Sequence, residues 1–276
     1  MSKIKFLSPV HVKNKIRLGR NHDGGYVVYE KAIQHTDRLL TYGVGWETSF
    51  EEDFNSRTGK PVLMFDPTMF NGEYVNMRHF AKLMISFRFR KAKRYLSTAK
   101  KWKKKLTELN ERNIVFVDEG IAPEKNGKYN SLEQHMKQYR LFDENVLLKI
   151  DIEGGEYGLL DHPKFLACLG RVNQLIFEFH DLKNRLREVE SILRLLEREF
   201  TLIHVHGNNY GDTFYSYEFS GSGTNDVLIP DVLELTLVRK TVLQESDIVH
   251  EDESYPVPQL DFPNNPQKKD IPIHFV

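Results

Sequence analysis

The stretch Val146-Leu147-Leu148-Lys149-Ile150-Asp151-Ile152-Glu153-Gly154-Gly155-Glu156 ties this chain to one kind of fold more firmly than any other. Its first half lacks the polar alternation of a half-exposed strand, which predicts a strand buried on both faces, as in a sheet covered by helices. Its second half cannot be core. Asp151 and Glu153 fall at the carboxyl end of that strand, where open α/β sheets place ligands, and Gly154-Gly155 let the backbone turn tightly into a helix. The plain alternative is a strand that closes in a solvated acidic turn.

Other segments repeat the pattern. Arg38 to Phe54 reads as strand, glycine loop (Gly43-Val44-Gly45) and helix, with Thr48 or Ser49 as N-cap and acids in the first turn. The loop lacks the third glycine of a dinucleotide fingerprint, and acids at the helix start argue against a pyrophosphate there. Pro61 to Thr68 is a second strand, and Asp66 ends it about twenty residues after the glycine loop, the separation at which nucleotide-binding folds place a carboxylate on ribose hydroxyls. Asn113 to Gly120 gives a third, ending in Asp118 and Glu119, and Val172 to Asp181 a fifth, ending in Glu178-Phe179-His180-Asp181. A charged helix is predicted from about Lys183 to Glu199, then two alternating strands, 200–209 and 232–239, able to pair with each other. Strands separated by helices imply a doubly wound, Rossmann-like parallel sheet with an antiparallel edge strand, the outline of a class I methyltransferase.

Length and composition fit that outline. The 276 residues are 40% apolar and 12% aromatic, enough for a sizeable core. Cys168, the single cysteine, lies in an apolar stretch and is expected to be a buried, inert thiol. The amino terminus has no signal-like apolar core and no run of about 18 apolar residues occurs, so a cytoplasmic protein is expected.

The net charge of zero hides an uneven distribution. Between Glu73 and Lys105 stand twelve lysines and arginines against one acid, a surplus of eleven, so the remainder is acidic to the same extent. Apolar residues at helical spacing predict a basic helical insertion over about 73–112, inside a domain spanning 38–240. A cap segment, 1–37, precedes that domain, and a Pro-rich coil tail, 241–276, follows it. The insertion is read either as a solvated face or as a surface for an anionic partner: a phosphate-bearing sugar, a polymer, a membrane surface or an acidic patch of a second subunit. Within the cap segment, a β-turn accounts for Asp23-Gly24-Gly25, but not for the crowding of Arg20, Asn21, His22 and Asp23 before it.

The chain resembles the FkbM-type methyltransferases in Leu148-Lys149-Ile150-Asp151-Ile152-Glu153-Gly154-x-Glu156, in Gln174-Leu175-x-x-Glu178-x-His180 and in His206-Gly207-Asn208-Asn209. Asp23-Gly24-Gly25-Tyr26 and Tyr42-Gly43-x-Gly45 are similar to its more divergent members. The resemblance implies S-adenosylmethionine as cofactor and O-methylation of a sugar, glycan or small-molecule hydroxyl. The methyl donor is expected at Gly43, Gly45, Glu47, Asp66, Asp118, Glu119 and Asp151, since acidic strand ends suit a sulfonium cation and a ribose better than a phosphate. His180 is the expected base, beside Asp151 and Glu178. The acceptor is expected against Arg20, Asp23, Tyr26, Glu153, His206, Asn208 and Asn209. Asp151, Glu153, His180 and Asp181 together would suit Mg²⁺ or Mn²⁺, or would instead hold donor and loops by hydrogen bonds. Two other classes stay open: a nicotinamide-dependent oxidoreductase, and a non-catalytic module for nucleic acid or an anionic glycan.

Overall fold

The computed structural model describes residues 4–69, 84–86, 89–215, 228–250 and 253–275. A hairpin of β1 (Lys15–Leu18) and β2 (Tyr26–Tyr29) leads through α1 (Glu30–Gln34) to β3 (Arg38–Tyr42), α2 (Ser49–Thr58) and β4 (Val62–Phe65). The basic helix α3 (Phe89–Glu111) precedes β5 (Ile114–Val117), the short pair β6 (Gly120–Ile121) and β7 (Tyr129–Asn130), and α4 (Leu132–Gln138). Then come β8 (Val146–Ile150), α5 (Tyr157–Leu160), α6 (Pro163–Cys168), β9 (Val172–Phe179) and α7 (Leu182–Leu196). The last strands are β10 (Phe200–Gly207), β11 (Thr213–Tyr215), β12 (Leu228–Pro230) and β13 (Leu233–Arg239). Of the basic insertion, residues 73–83 and 87–88 lie outside the described residues.

Seven strands form the central sheet in the order β10-β13-β9-β8-β3-β4-β5. All neighbours are parallel except around β13, which runs antiparallel to both β9 and β10. The antiparallel pairing expected of the last two strands is present, with the reversed strand one place in from the rim. Every residue of β3 after Arg38, and all of β4, β8 and β9, is buried, because helices cover both faces.

On one face Leu148, Ile150, Phe177 and Phe179 join Phe165, Leu182, Val189 and Leu193 of the flanking helices. On the other, Leu147 and Ile176 meet Tyr26 of the hairpin, Phe50 and Phe54 of α2, and Leu109 of α3. Helix α7 buries Leu182, Leu186, Val189, Ile192, Leu193 and Leu196, the spacing of one helical stripe. Burying each such side chain contributes about 1.5–3 kcal/mol, and a charge in the same layer must find partners to be tolerated. Lys149, only 4% exposed in the middle of β8, is that charge.

The tail is irregular, and much of it is buried. Tyr255, Val257, Asp261, Asn264, Ile271 and Ile273 are covered, and Tyr255 bridges Ile273. Cys168 is buried and free, with burial pushing its thiol upward.

Candidate active site

Strands β3 and β8 are neighbours whose chains continue in opposite directions across the sheet, β3 toward β4 and β5, β8 toward β9. Open sheets form a crevice beyond the carboxyl ends of two such strands. A cavity of about 560 Å³ lies there. Its walls are the glycine loop with Trp46 and Glu47, the hairpin residues Asp23, Gly24 and Tyr26, Lys149 of β8 with Asp151 just past it, Glu178 of β9 with His180 just past it, and Asn208 just past β10.

The two loop glycines do different work. Gly43 has φ +78°, and a Cβ there would stand 1.5 Å from the Asp151 carbonyl oxygen, so the β3 and β8 ends could not approach with any other residue. Gly45 has φ +58°, with no atom within 4 Å of a Cβ built on it. Its backbone faces open space, as a cradle for a ligand requires.

The polar groups around the cavity are linked. The Tyr26 hydroxyl lies 3.1 Å from Asp151 Oδ2 and 3.2 Å from Glu178 Oε2. One phenolic proton serves only one of them, so the trio is satisfied when Glu178 is protonated and donates to Tyr26, which donates to Asp151. Burial, and then the carboxylates of Asp151 and Glu234, push Glu178 well above the usual range. Burial also raises Asp151, against the pull of Lys149 and His180. Asn208 Nδ2 donates to Glu178 Oε1 at 2.9 Å.

His180 stands among carboxylates. Its Nε2 is 3.5 Å from Glu153, 3.6 Å from Glu178 and 4.0 Å from Asp151, and its Nδ1 is 3.3 Å from Glu156 without the alignment of a hydrogen bond. Burial opposes the imidazolium, but Glu156, with Asp151 adding its charge, outweighs it and holds His180 up at about 9. At neutral pH this ring is a cation. Lys149 Nζ lies 3.8 Å from Asp151 Oδ2 and 4.6 Å from the centre of the Tyr26 ring.

Of the residues expected from sequence to hold a methyl donor, Gly43, Gly45, Glu47 and Asp151 line the cavity. Asp66 is buried and its oxygens are occupied: Oδ2 takes the Gly45 N–H at 2.9 Å, and Oδ1 takes the Thr68 N–H and hydroxyl and the Met69 N–H. It pins the glycine loop. Asp118 is paired with Lys128 at 2.6 Å and Glu119 with His135 at 3.1 Å, neither in the cavity wall.

Among the expected acceptor contacts, Asp23, Tyr26, Glu153 and Asn208 line the cavity. Arg20 sits outside the wall, paired with Glu47 at 2.7 Å. The crowding around it has a structural account, since Arg17 donates to the carbonyls of Arg20 and His22, and His22 meets the Pro263 carbonyl. His206 and Asn209 face the tail: His206 lies between Glu234 and Asp270, at 3.1 Å from each, and Asn209 Nδ2 donates to the carbonyls of Asn265, Lys268 and Lys269.

For a cation, the structure groups Asp151, His180 and Glu178, each offering one atom within 4.8 Å of the others. Glu178 stands where the sequence suggests Glu153 and Asp181. The Glu153 side chain is 87% exposed, and Asp181 turns outward to Asn184 and Arg185.

Sequence reasoning gives Lys149, Glu51 and Trp46 no role, yet all three line the cavity. A lysine inside Val146–Ile150 is the signal that could have found the first. Glu51 reads as an ordinary first-turn acid of α2, but it is buried and takes the Thr41 hydroxyl at 2.9 Å.

No family model matches the chain, and no curated protein does either. Among solved structures it is similar to an rRNA methylase from Streptococcus thermophilus, at 13% identity over 76% of this chain and 92% of that one, with a TM-score of 0.37. It is also similar to precorrin-6y C5,15-methyltransferase from Geobacter metallireducens GS-15, at 12% identity over 74% and 82%, TM-score 0.37. A third is the 23S rRNA methyltransferase ErmE, at 11% identity over 80% and 73%, TM-score 0.33. At that identity the comparison concerns the path of the chain and not the site.

Proposed function

We propose that this chain is an S-adenosylmethionine-dependent methyltransferase that methylates a hydroxyl of a sugar, glycan or small molecule. One observation carries the reading: the cavity at the switch point is walled by six carboxyl groups, Asp23, Glu47, Glu51, Asp151, Glu153 and Glu178, against two cationic groups, Lys149 and His180. With Glu178 protonated the other five acids still outnumber the two cations, and such a surplus in a partly enclosed site favours a cationic ligand and disfavours the pyrophosphate of a dinucleotide.

The donor would be held by the Gly43–Gly45 backbone, Glu47 and Asp151, the open space over Gly45 leaving room for it. When bound, it supplies an electrophilic methyl group on a sulfonium sulfur. The protein's own part is alignment and proton removal. Asn208 and Tyr26 hold Glu178 and Asp151 in place, and His180 Nε2, once it has lost its own proton, accepts the proton of the acceptor hydroxyl. Calorimetric titration with S-adenosylhomocysteine and with NAD tests the reading, S-adenosylhomocysteine being the expected ligand. Binding of NAD alone would sink it. A radiolabelled-methyl assay over nucleotide sugars, glycans and RNA then identifies the acceptor class.

The grouping of Asp151, Glu178 and His180 favours a second reading, in which these side chains would hold a divalent ion such as Mg²⁺ or Mn²⁺ that acidifies the acceptor hydroxyl, and His180 is a ligand in place of a base. The ion would replace the protons on Glu178 and His180, leaving two carboxylates and one imidazole, a donor set that such ions accept.

A further inference from the structure

Helix α3 has two working faces. Ala99, Trp102 and Leu109 are buried, and Trp102 packs edge-on against Trp46, with ring centres 5.2 Å apart, and against Phe116. That stripe fixes the helix to the body. Positions 89, 93, 96, 100, 103 and 104 follow a different stripe at helical spacing, and Phe89, Lys93, Leu96, Lys100, Lys103 and Lys104 are all exposed.

The apolar members of this second stripe are unusual for a solvated face. The described residues include ten exposed large hydrophobic side chains, and four of them fall between 84 and 96: Met84 at 39%, Ile85 at 78%, Phe89 at 52% and Leu96 at 39%. None carries a polar tip, unlike the exposed Tyr129, Tyr210 and Tyr215 elsewhere. Among the described residues the positive charge around them is only partly paired. Lys104 meets Glu108 at 3.5 Å and Lys105 meets Glu52 at 3.0 Å, but no carboxylate of the described residues pairs with Lys93, Lys100 or Lys103. In sequence the segment carries its surplus of eleven.

We infer that this face of α3, with Met84 and Ile85 before it, docks on an anionic lipid surface. The cations complement the headgroup charge, while the aliphatic side chains enter the boundary between headgroups and acyl chains, as in helices that lie in a membrane interface. A nucleic acid would use the charges, but would give Met84, Ile85 and Leu96 no apolar phase to enter. The inference is independent of methyl transfer. It also requires no spanning helix, and no described helix is long and apolar enough to cross a membrane.

The test is flotation of the full chain with phosphatidylcholine vesicles that contain or lack phosphatidylserine, beside a titration with single-stranded RNA homopolymer. The protein is expected to float only with the phosphatidylserine vesicles. Two variants separate the contributions: Ile85→Gln with Leu96→Gln, and Lys100→Gln with Lys101→Gln, Lys103→Gln and Lys104→Gln. All these side chains are exposed, so unfolding curves should match the parent. Each variant is expected to lose vesicle binding about tenfold or more. Absence of phosphatidylserine-dependent flotation overturns the proposal. So does an apolar variant that floats like the parent while RNA binding depends on the lysines alone, the behaviour of a polymer site.

Discussion

Asn208, just past the end of β10, donates its side-chain amide to Glu178 Oε1 of β9 at 2.9 Å, across the intervening strand β13. The same glutamate reaches Tyr26 through its other oxygen. This one carboxyl group therefore joins the outer strands of the sheet to the hairpin that roofs the cavity, and its proton inventory matters.

A neutral Glu178 predicts an asymmetry between two isosteric changes. Glu178→Gln keeps a donor for Tyr26 and should alter stability by less than about 1 kcal/mol. Asp151→Asn removes a charge that faces both Lys149 and His180, and should weaken S-adenosylhomocysteine binding about tenfold or more. Denaturant unfolding and calorimetry on both variants check this. Equal loss of donor affinity in the two would show that Glu178 is ionised.

The pH dependence follows from His180. Its folded-state value is about 9, above the free value near 6.5, so the ring is charged at neutral pH and gains basicity only as pH rises. For a base, kcat/KM should climb with unit slope and level off near pH 9, and His180→Gln should remove that limb. A profile already flat at pH 7 would exclude His180 as the proton acceptor.

His206 makes a prediction about stability alone. Burial disfavours its charge, but hydrogen bonds to Asp270 and Glu234 overcome that and raise it to about 10. A raised value stabilises the fold fully below about pH 6.5, and the contribution is lost as pH rises through about 10. Asp270→Asn should cost about 1–3 kcal/mol at pH 6.5 and progressively less toward pH 10. Urea unfolding of parent and variant across that range would reveal the convergence.

The two loop glycines should respond differently to alanine. Gly43→Ala forces a Cβ into the Asp151 carbonyl and should destabilise by about 3 kcal/mol or more, with loss of the paired strand ends. Gly45→Ala meets no atom and costs only the left-handed backbone, about 1–2 kcal/mol. Its larger effect should be on S-adenosylhomocysteine affinity, read by calorimetry at a temperature where both proteins are folded.

Metal binding is open to a direct measurement. Mn²⁺ or Mg²⁺ at Asp151, Glu178 and His180 should raise the unfolding midpoint of the parent and leave that of a His180→Gln variant unmoved. Turnover undiminished by exhaustive chelation would confine these groups to hydrogen bonding.

Much of the fold was legible in the chain, because strands covered on both faces must be written as unbroken apolar runs and their ends as polar breaks. Val146–Ile150 and Val172–Phe179 declared themselves in that way, and so did the acids and His180 that follow them. What an acid at a strand end is used for was not legible. Asp66 turns inward to hold the Gly45 loop, Glu119 turns to His135, and His206 clamps a tail more than sixty residues away. A carboxylate's partner depends on which donors the packed chain brings within about 3 Å of it, and residues far apart in sequence supply them. Lys149 and Glu51 became cavity residues for the same reason: the hairpin and α2 close over one face of the sheet, and each buried charge is left with the partners that packing supplies, Asp151 and the Tyr26 ring for Lys149 and the Thr41 hydroxyl for Glu51.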